Sequence, residues 1–467
     1  MSISTIITPN SHPKKIIVSL KLAKDLPFRD VLSSEMISEY TQTLEYKARY
    51  DFYPPDITLW AFLSQVIDDH QTLEAAVGRV IAFHITKGKD APSPNTAAFS
   101  KARSKLPEEI ISNLVKDSAG KMEKNIPNNW LWNLFHLKLV DGSTVSMPDT
   151  PENQALYPQP DSQKKGVGFP IARIVVAISC VTGALLDLAI GPYSGKESGE
   201  HALLRQILDV FKPGDVALGD SYYASFFLIA MLMKKGVKFI FPQHSARNSD
   251  FRRGKKLGKK DHIVKWIKPK KPEWMDQETY DSFENELEIR EVVIRSEKKG
   301  FRIKERILVT NFLNPTEVSR NNLSNLYSYR WWVELDIRTI KQTMHMGILK
   351  GKTPEMVHKE IWAHLLAYNL IRKIMAEAAY AHNKKPRELS FTLAMNLIKA
   401  FRDAGILAQN NEEHYVELLK AIARRTICYR PGRQEPRVVK RRPKAFPRMQ
   451  KPRHLYHRDE VIQNAIS

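Results

Sequence analysis

Cysteine is nearly absent: Cys180 and Cys428 are the only two in 467 residues. So sparse and remote a pair excludes a disulfide-built scaffold and points to a reducing, cytoplasmic setting. Long hydrophobic runs are missing as well. The longest, Phe226 to Met233, falls far short of the about 20 apolar residues that a membrane-crossing helix needs, so no membrane partner is expected. The opening segment, MSISTIITPNSHPKKIIVSL, holds no apolar stretch framed as a secretion signal. Among the 14 histidines there is no HExxH pattern, and His454-x2-His457 lies in a Pro-rich tail, so no zinc is assigned. The loop GPYSGKE (191–197) has neither the spacing nor the Ser/Thr of a nucleotide-binding P-loop, which sets aside an ATPase of that class.

What the chain has is positive charge. Its 72 Lys+Arg exceed its 51 Asp+Glu by 21, a balance that favours a polyanionic partner, and DNA before an anionic membrane because no basic amphipathic helix stands out. Two segments concentrate the charge. Arg247 to Lys271 carries eleven Lys/Arg against two Asp, and Arg424 to Arg453 carries twelve Lys/Arg and five Pro against one acid, Glu435. The second is too Pro-rich and cationic to pack as a core and reads as extended.

The patterning divides the chain. Residues 1–27 read as an N-terminal arm and 28–125 as a helical domain, from apolar residues at helical spacing in ITLWAFLSQVI and LEAAVGRVIAFHI, with DNA binding as its expected role. Ser93 followed by Pro94 predicts the start of a helix carrying Lys101, Arg103 and Lys105, candidate DNA contacts. Over 126–242 the order becomes three strands (LFHLKLVDG, FPIARIVVAISC, GALLDLAIG), helix, strand, helix, strand, with Val181-Thr182-Gly183 as a hairpin turn. That order is the layout of a ribonuclease H-like α/β fold with a mixed sheet. A β-rich basic insertion domain is expected over 243–320, offering Arg252, Arg253, Lys255 and Lys256 to DNA. The second part of the core and the C-terminal helices follow over 321–425, and a basic tail over 426–467.

The segment YSYRWWVELDIRTIK (327–341) fits Y-x2-R-x3-E-x6-K. On an uninterrupted helix, Arg330, Glu334 and Lys341 lie within about 60° of Tyr327, so the four form one polar stripe. Val333, Ile337, Ile340 and Met344 form a neighbouring apolar stripe that would dock on the core. By themselves Arg330 and Glu334 also read as an ordinary i,i+4 ion pair, worth a few tenths of a kcal/mol. Phosphodiester cleavage at such a site needs two divalent ions held by several carboxylates, so Glu334 requires partners. Asp141 ends the run LKLV and Asp220 ends VALG, each at a strand end facing the same sheet edge. Singly, each also reads as a turn or helix-capping aspartate.

With these residues in place, the chain resembles a bacterial insertion-sequence transposase of the DDE class, in the fourth insertion-sequence family, marked by the YREK motif. The similar stretches are VDGSTVSMPDT, QKKGVGFPIARIVVAISCVTGALLD, GDVALGDSYYASF, YRWWVELDIRTIKQTM, KTPEMVHKEIWAHLLAYNLIR and RPGRQEPRVVKRRPK. The resemblance implies a metal-binding catalytic triad of Asp141, Asp220 and Glu334, two Mg²⁺ or Mn²⁺ ions, and contacts from Tyr327, Arg330 and Lys341 to DNA phosphates. It implies cut-and-paste transposition on double-stranded DNA, both terminal inverted repeats and target, by a homodimer associated with the nucleoid. One departure is Asp220-Ser221-Tyr222-Tyr223, where many relatives have Arg and an aromatic after the aspartate. Trp266 and Trp274 are candidates for stacking a flipped base, against a buried structural role for each. Two other readings stay open: a ribonuclease H-like nuclease or resolvase that cuts without joining, and a domesticated, non-catalytic DNA-binding protein.

Overall fold

The computed structural model describes residues 34–44, 52–295, 305–403, 412–427, 449–452 and 455. The N-terminal arm, most of the basic tail, Cys428 and the His454/His457 pair lie outside them. Among the described residues no helix is long and apolar enough to cross a membrane.

The three runs read as strands form an antiparallel meander: β1 (Leu137–Ser146), β2 (Ile171–Ser179) and β3 (Leu185–Pro192). Gly183, at φ +77°, makes the turn that Val181-Thr182-Gly183 predicts. β4 (Val216–Leu218) and β5 (Lys238–Pro242) then add parallel to β1, each reached through helix. The resulting order, β3-β2-β1-β4-β5, is the ribonuclease H-like arrangement.

The interrupting segment continues this sheet. β9 (Glu305–Thr310) pairs with β5 through Ile240–Thr310, Phe241–Val309 and Pro242–Leu308. β8 (Glu286–Arg295), β7 (Asp261–Ile267) and β6 (Lys255–Gly258) follow, giving, among the described residues, nine strands in one sheet.

Side-chain alternation along the strands gives the sheet two apolar faces. Leu137, Leu139, Val176, Ile178, Leu218 and Ile240 pack under a helical layer whose centre is the 28-residue helix Pro354–Ala381. Val140, Val175, Ala177, Ala217, Phe239 and Phe241 pack against the helices Glu200–Gln206 and Phe226–Lys234. Asn369, fully buried on the long helix, accepts from the Leu185 amide at 2.8 Å and donates to the Leu185 carbonyl at 2.9 Å. Both polar backbone groups of this strand residue are thereby bonded by one side chain.

The N-terminal region is helical as expected, but the helix bearing Lys101, Arg103 and Lys105 begins at Ala97, later than Ser93-Pro94 suggested. Asn95 is the reason: its Oδ1 accepts from the Ala97 amide at 2.8 Å, while Ser93 only closes a turn onto the Asn95 amide.

Candidate active site at the open end of the sheet

Register creates the cleft. β1 pairs with β2 along Lys138–Ser146 but with β4 only at Leu137–Leu139, so one side of β1 is left open from Val140 until Ser146 bridges to Ile348. Asp141 sits on β1 just beyond that point and Asp220 two residues past the end of β4. This is the carboxyl-end crevice where α/β sheets place their ligands. Asp220 also caps the short turn Ser221–Tyr223, accepting from the Tyr222 amide at 2.8 Å. The capping role and a place in the cleft therefore coexist in one residue.

Asp141 feels its neighbours. Its carboxyl is pushed up to about 6 by burial, with the negative charges of Asp220 and Glu200 adding, against the Gly142 amide and Arg330. Glu200, at the start of its helix, is a fourth carboxylate that the sequence reading did not single out. It too is raised by burial and by Asp220, and it accepts from the buried Tyr223 hydroxyl at 3.1 Å. A side chain at Gly142 would run into the Glu200 carboxyl group.

The motif segment closes the cleft, though not as one helix. Ser319 and Asn322 form a reciprocal capping box at the start of Arg320–Ser328. The chain then tightens at Tyr329–Arg330 into i→i+3 bonds, Arg330 N to Tyr327 O at 3.1 Å and Trp332 N to Tyr329 O at 2.9 Å. It resumes as Trp331–Arg338 and widens to a π turn over Thr339–Thr343. The uniform stripe inferred from 100° steps is thus corrected. Tyr327 ends one helix, Arg330 and Glu334 begin the next, and Lys341 stands on a π turn, a distortion frequent at functional sites. The apolar stripe docks as expected, with Val333, Ile340 and Met344 buried and Ile337 packed against them.

All four motif residues reach the cleft or its rim. Arg330 pairs with Glu334 and holds its Nη1 4.0 Å from Asp141 Oδ2, so one guanidinium spans the sheet and the helix. Lys341 Nζ donates to Ser143 Oγ at 3.1 Å, two residues along β1 from Asp141. Tyr327 is buried, and its hydroxyl accepts from Arg306 at 2.8 Å. Behind them, fully buried Asp336 accepts from Arg372 at 2.5 Å and from Arg387 at 2.7 and 2.8 Å, clamping the Glu334 helix to the rest of the helical layer.

The remaining candidates separate. Lys101 and Lys105 are exposed. Arg103 turns inward, donating to Gln65 Oε1 at 2.8 Å with its guanidinium 4.9 Å from the Phe62 ring centre, so it braces the helical region and is withdrawn as a DNA contact. Arg252, Arg253, Lys255 and Lys256 are exposed beside or on edge strand β6. Trp266 is buried, donating to Glu291 at 2.9 Å, whereas Trp274 is partly exposed beneath Arg205, 3.7 Å from its ring centre. Tyr222 is open to solvent and Tyr223 is not.

An all-oxygen donor set of Asp141, Asp220, Glu200 and Glu334 has the chemistry that hard divalent cations prefer, and Asp141 is raised by burial first and by the charges of Asp220 and Glu200 besides. Among the described residues no three His, Cys, Asp or Glu are yet gathered as closely as metal ligands. Arg330 is the cation standing between Asp141 and Glu334.

The fold and the cleft define a ribonuclease H-like protein with acidic residues at the open strand ends. The family model described as "Transposase DDE domain" matches residues 136–370, half of the chain, and the chain belongs to that family. It is a DDE transposase, an enzyme class that uses divalent metal ions to cleave and transfer DNA strands. Among curated proteins it is 26% identical over 426 residues to the transposase InsG for insertion sequence element IS4 of Escherichia coli (strain K12), covering 90% of this chain and 92% of that one. The putative transposase InsL for insertion sequence element IS186A, from the same organism, is 33% identical over 69 residues, 15% of this chain and 19% of that one. Among solved structures, the piggyBac transposase synaptic complex with hairpin DNA aligns at TM-score 0.41 and 10% identity, over 87% of this chain and 84% of that one. That likeness is too loose to carry the fold, which rests on the strand order.

Proposed function

We propose that this transposase moves an insertion sequence by cut and paste, with Asp141, Asp220 and Glu334 as its metal-binding catalytic triad. The observation that carries the reading is the convergence on one open sheet edge of Asp141 on β1, Asp220 just past β4 and the helix residue Glu334, with Arg330 between Asp141 and Glu334. Two bound Mg²⁺ or Mn²⁺ ions would activate the attacking oxygen and stabilise the leaving one. The chain's own residues do the rest. The triad and Glu200 concentrate negative charge where those ions are needed. Lys341 is held by Ser143 beside Asp141, and Lys341, Arg330 and Tyr327 take phosphates of the transposon end next to the cut. Lys101, Lys105 and the Arg252–Lys256 edge extend the cationic track along double-stranded DNA, whose affinity would be strongly salt-dependent. The N-terminal helices would read the terminal inverted repeats, and two copies of the chain, acting beside the nucleoid, would hold the two ends.

The test supplies the purified chain with Mg²⁺ or Mn²⁺, a duplex carrying the element's terminal repeat, and a target plasmid. The reading expects a nicked end whose 3′-OH strand becomes covalently joined to the plasmid. Cleavage without any joined product would make the protein a nuclease, and end binding without cleavage would make it a DNA-binding relic.

A further inference from the structure

We infer that Arg306, on β9, is a DNA-phosphate ligand that forms one cradle with Tyr327 and Arg330. The inference rests on the DNA-binding reading above and adds a residue from outside the motif, contributed by the returning strand of the interrupting segment.

Three observations carry it. Arg306 Nη1 donates to the Tyr327 hydroxyl at 2.8 Å, and its guanidinium stands 5.4 Å from the centre of that ring. Arg330 approaches the same ring at 6.0 Å. Two guanidinium groups therefore converge on one neutral phenol, an arrangement whose mutual repulsion is relieved by an anion between them. Their pairing differs. Arg330 has Glu334, whereas among the described residues Arg306 has no carboxylate partner and remains partly exposed.

Burial of Tyr327 sharpens the point. Its ring is almost covered and its oxygen already accepts from Arg306. The phenol can still donate its own proton, but the charge offered at that place is the guanidinium it holds. Tyr327 positions Arg306, and Arg306 presents several further N–H donors in the planar fork that suits phosphate oxygens. Position selects which phosphate. Tyr327, Arg330 and Glu334 form a continuous chain of contacts, so the cradle takes a backbone phosphate adjacent to the linkage being cut. The competing account is a strut: Arg306 stacks on Tyr327 only to hold β9 against the motif helices, and touches no DNA.

The experiment uses the full chain and terminal-repeat duplex, measuring affinity against salt concentration together with phosphate-ethylation interference. Arg306→Gln keeps an N–H donor for the phenol oxygen but removes the charge; Arg306→Lys keeps charge and loses the fork. Arg306→Gln, melting within a degree or two of the parent chain, is expected to bind about tenfold more weakly. Its log-affinity slope against log salt should be shallower by about 0.9, with interference lost at one phosphate beside the cut. Arg306→Lys should recover the slope but not the full affinity. An unchanged slope and interference pattern in Arg306→Gln overturns the inference, as does a fall in melting temperature with DNA contacts intact, which is the strut. Failure of the parent chain to bind end DNA would instead remove the reading on which the inference stands.

Discussion

The two halves of the site are built differently. The sheet half is Asp141, on β1 where only β2 flanks it, and Asp220, just past β4; there burial above all, with the charges of Asp220 and Glu200 adding, pushes the Asp141 carboxyl up to about 6. The helix half, Glu334 with Arg330, Tyr327 and Lys341, lies on a segment that tightens once and widens once within fifteen residues; its Glu334 is paired with Arg330, and its Lys341 donates to Ser143 of β1. The sheet half thus carries a carboxylate destabilised chiefly by burial, the helix half one satisfied by a guanidinium. A cation entering the cleft relieves the first and must compete with Arg330 for the second.

The comparison can be broken most forcefully at Asp336. Replacing it with alanine leaves the buried Arg372 and Arg387 without their carboxylate, at a cost of about 3–5 kcal/mol, the largest stability loss expected of any substitution near the site. Chemical denaturation would measure it. A loss below about 1 kcal/mol would mean that Asp336 does not anchor the helix half.

The sheet half should respond in the opposite direction. Asp141 keeps its proton in the folded chain up to about pH 6 but loses it near the ordinary value of 3.8 when unfolded. The unfolded chain therefore binds fewer protons between about pH 4 and 6, and folding stability falls as pH rises through that window. Asp141→Asn removes the effect. Without metal, the variant should be more stable than the parent at pH 7, by an amount on the order of 3 kcal/mol at most, and nearly equal to it at pH 4. A thermal melt in EDTA at the two pH values reads this directly, and equal melting at pH 7 would refute the burial penalty on the Asp141 carboxylate. For the same reason metal affinity should weaken below about pH 6.

The smallest effect sharpens the picture of Glu200. Gly142→Ala puts a methyl group where the Glu200 carboxyl lies, and the displacement should cost about 1–3 kcal/mol. Pairing it with Glu200→Ala should restore most of that stability. No rescue in the double variant would show that Gly142 is required for another reason.

Legibility from sequence followed the same division. Gly219-Asp220 was visible as the end of a strand, as was the order of strands and helices that makes the sheet, whereas Asp141-Gly142-Ser143 reads as a turn and is not one: β1 runs through it to Ser146, still paired with β2. The motif was visible as spacing, but its geometry was not, because 100° steps presume an even helix and neither the tight turn at Arg330 nor the π turn at Lys341 has a mark in the letters. Glu200, Asp336 and Arg306 were hidden for a further reason. Each matters through a residue distant in the chain, respectively Gly142, Arg387 and Tyr327, and a single sequence does not reveal such pairs. Arg103 shows the converse: a cation among cations reads as DNA-facing until Phe62 and Gln65 are seen to hold it.

The most direct test of the central claim, that both halves form one metal-dependent cleavage site, is strand cleavage of terminal-repeat duplex by Asp141→Asn, Asp220→Asn and Glu334→Gln in Mg²⁺ or Mn²⁺. The account predicts that each variant binds the duplex about as tightly as the parent and cuts it at least about a thousandfold more slowly. Cutting at the parental rate by any one of the three would contradict it.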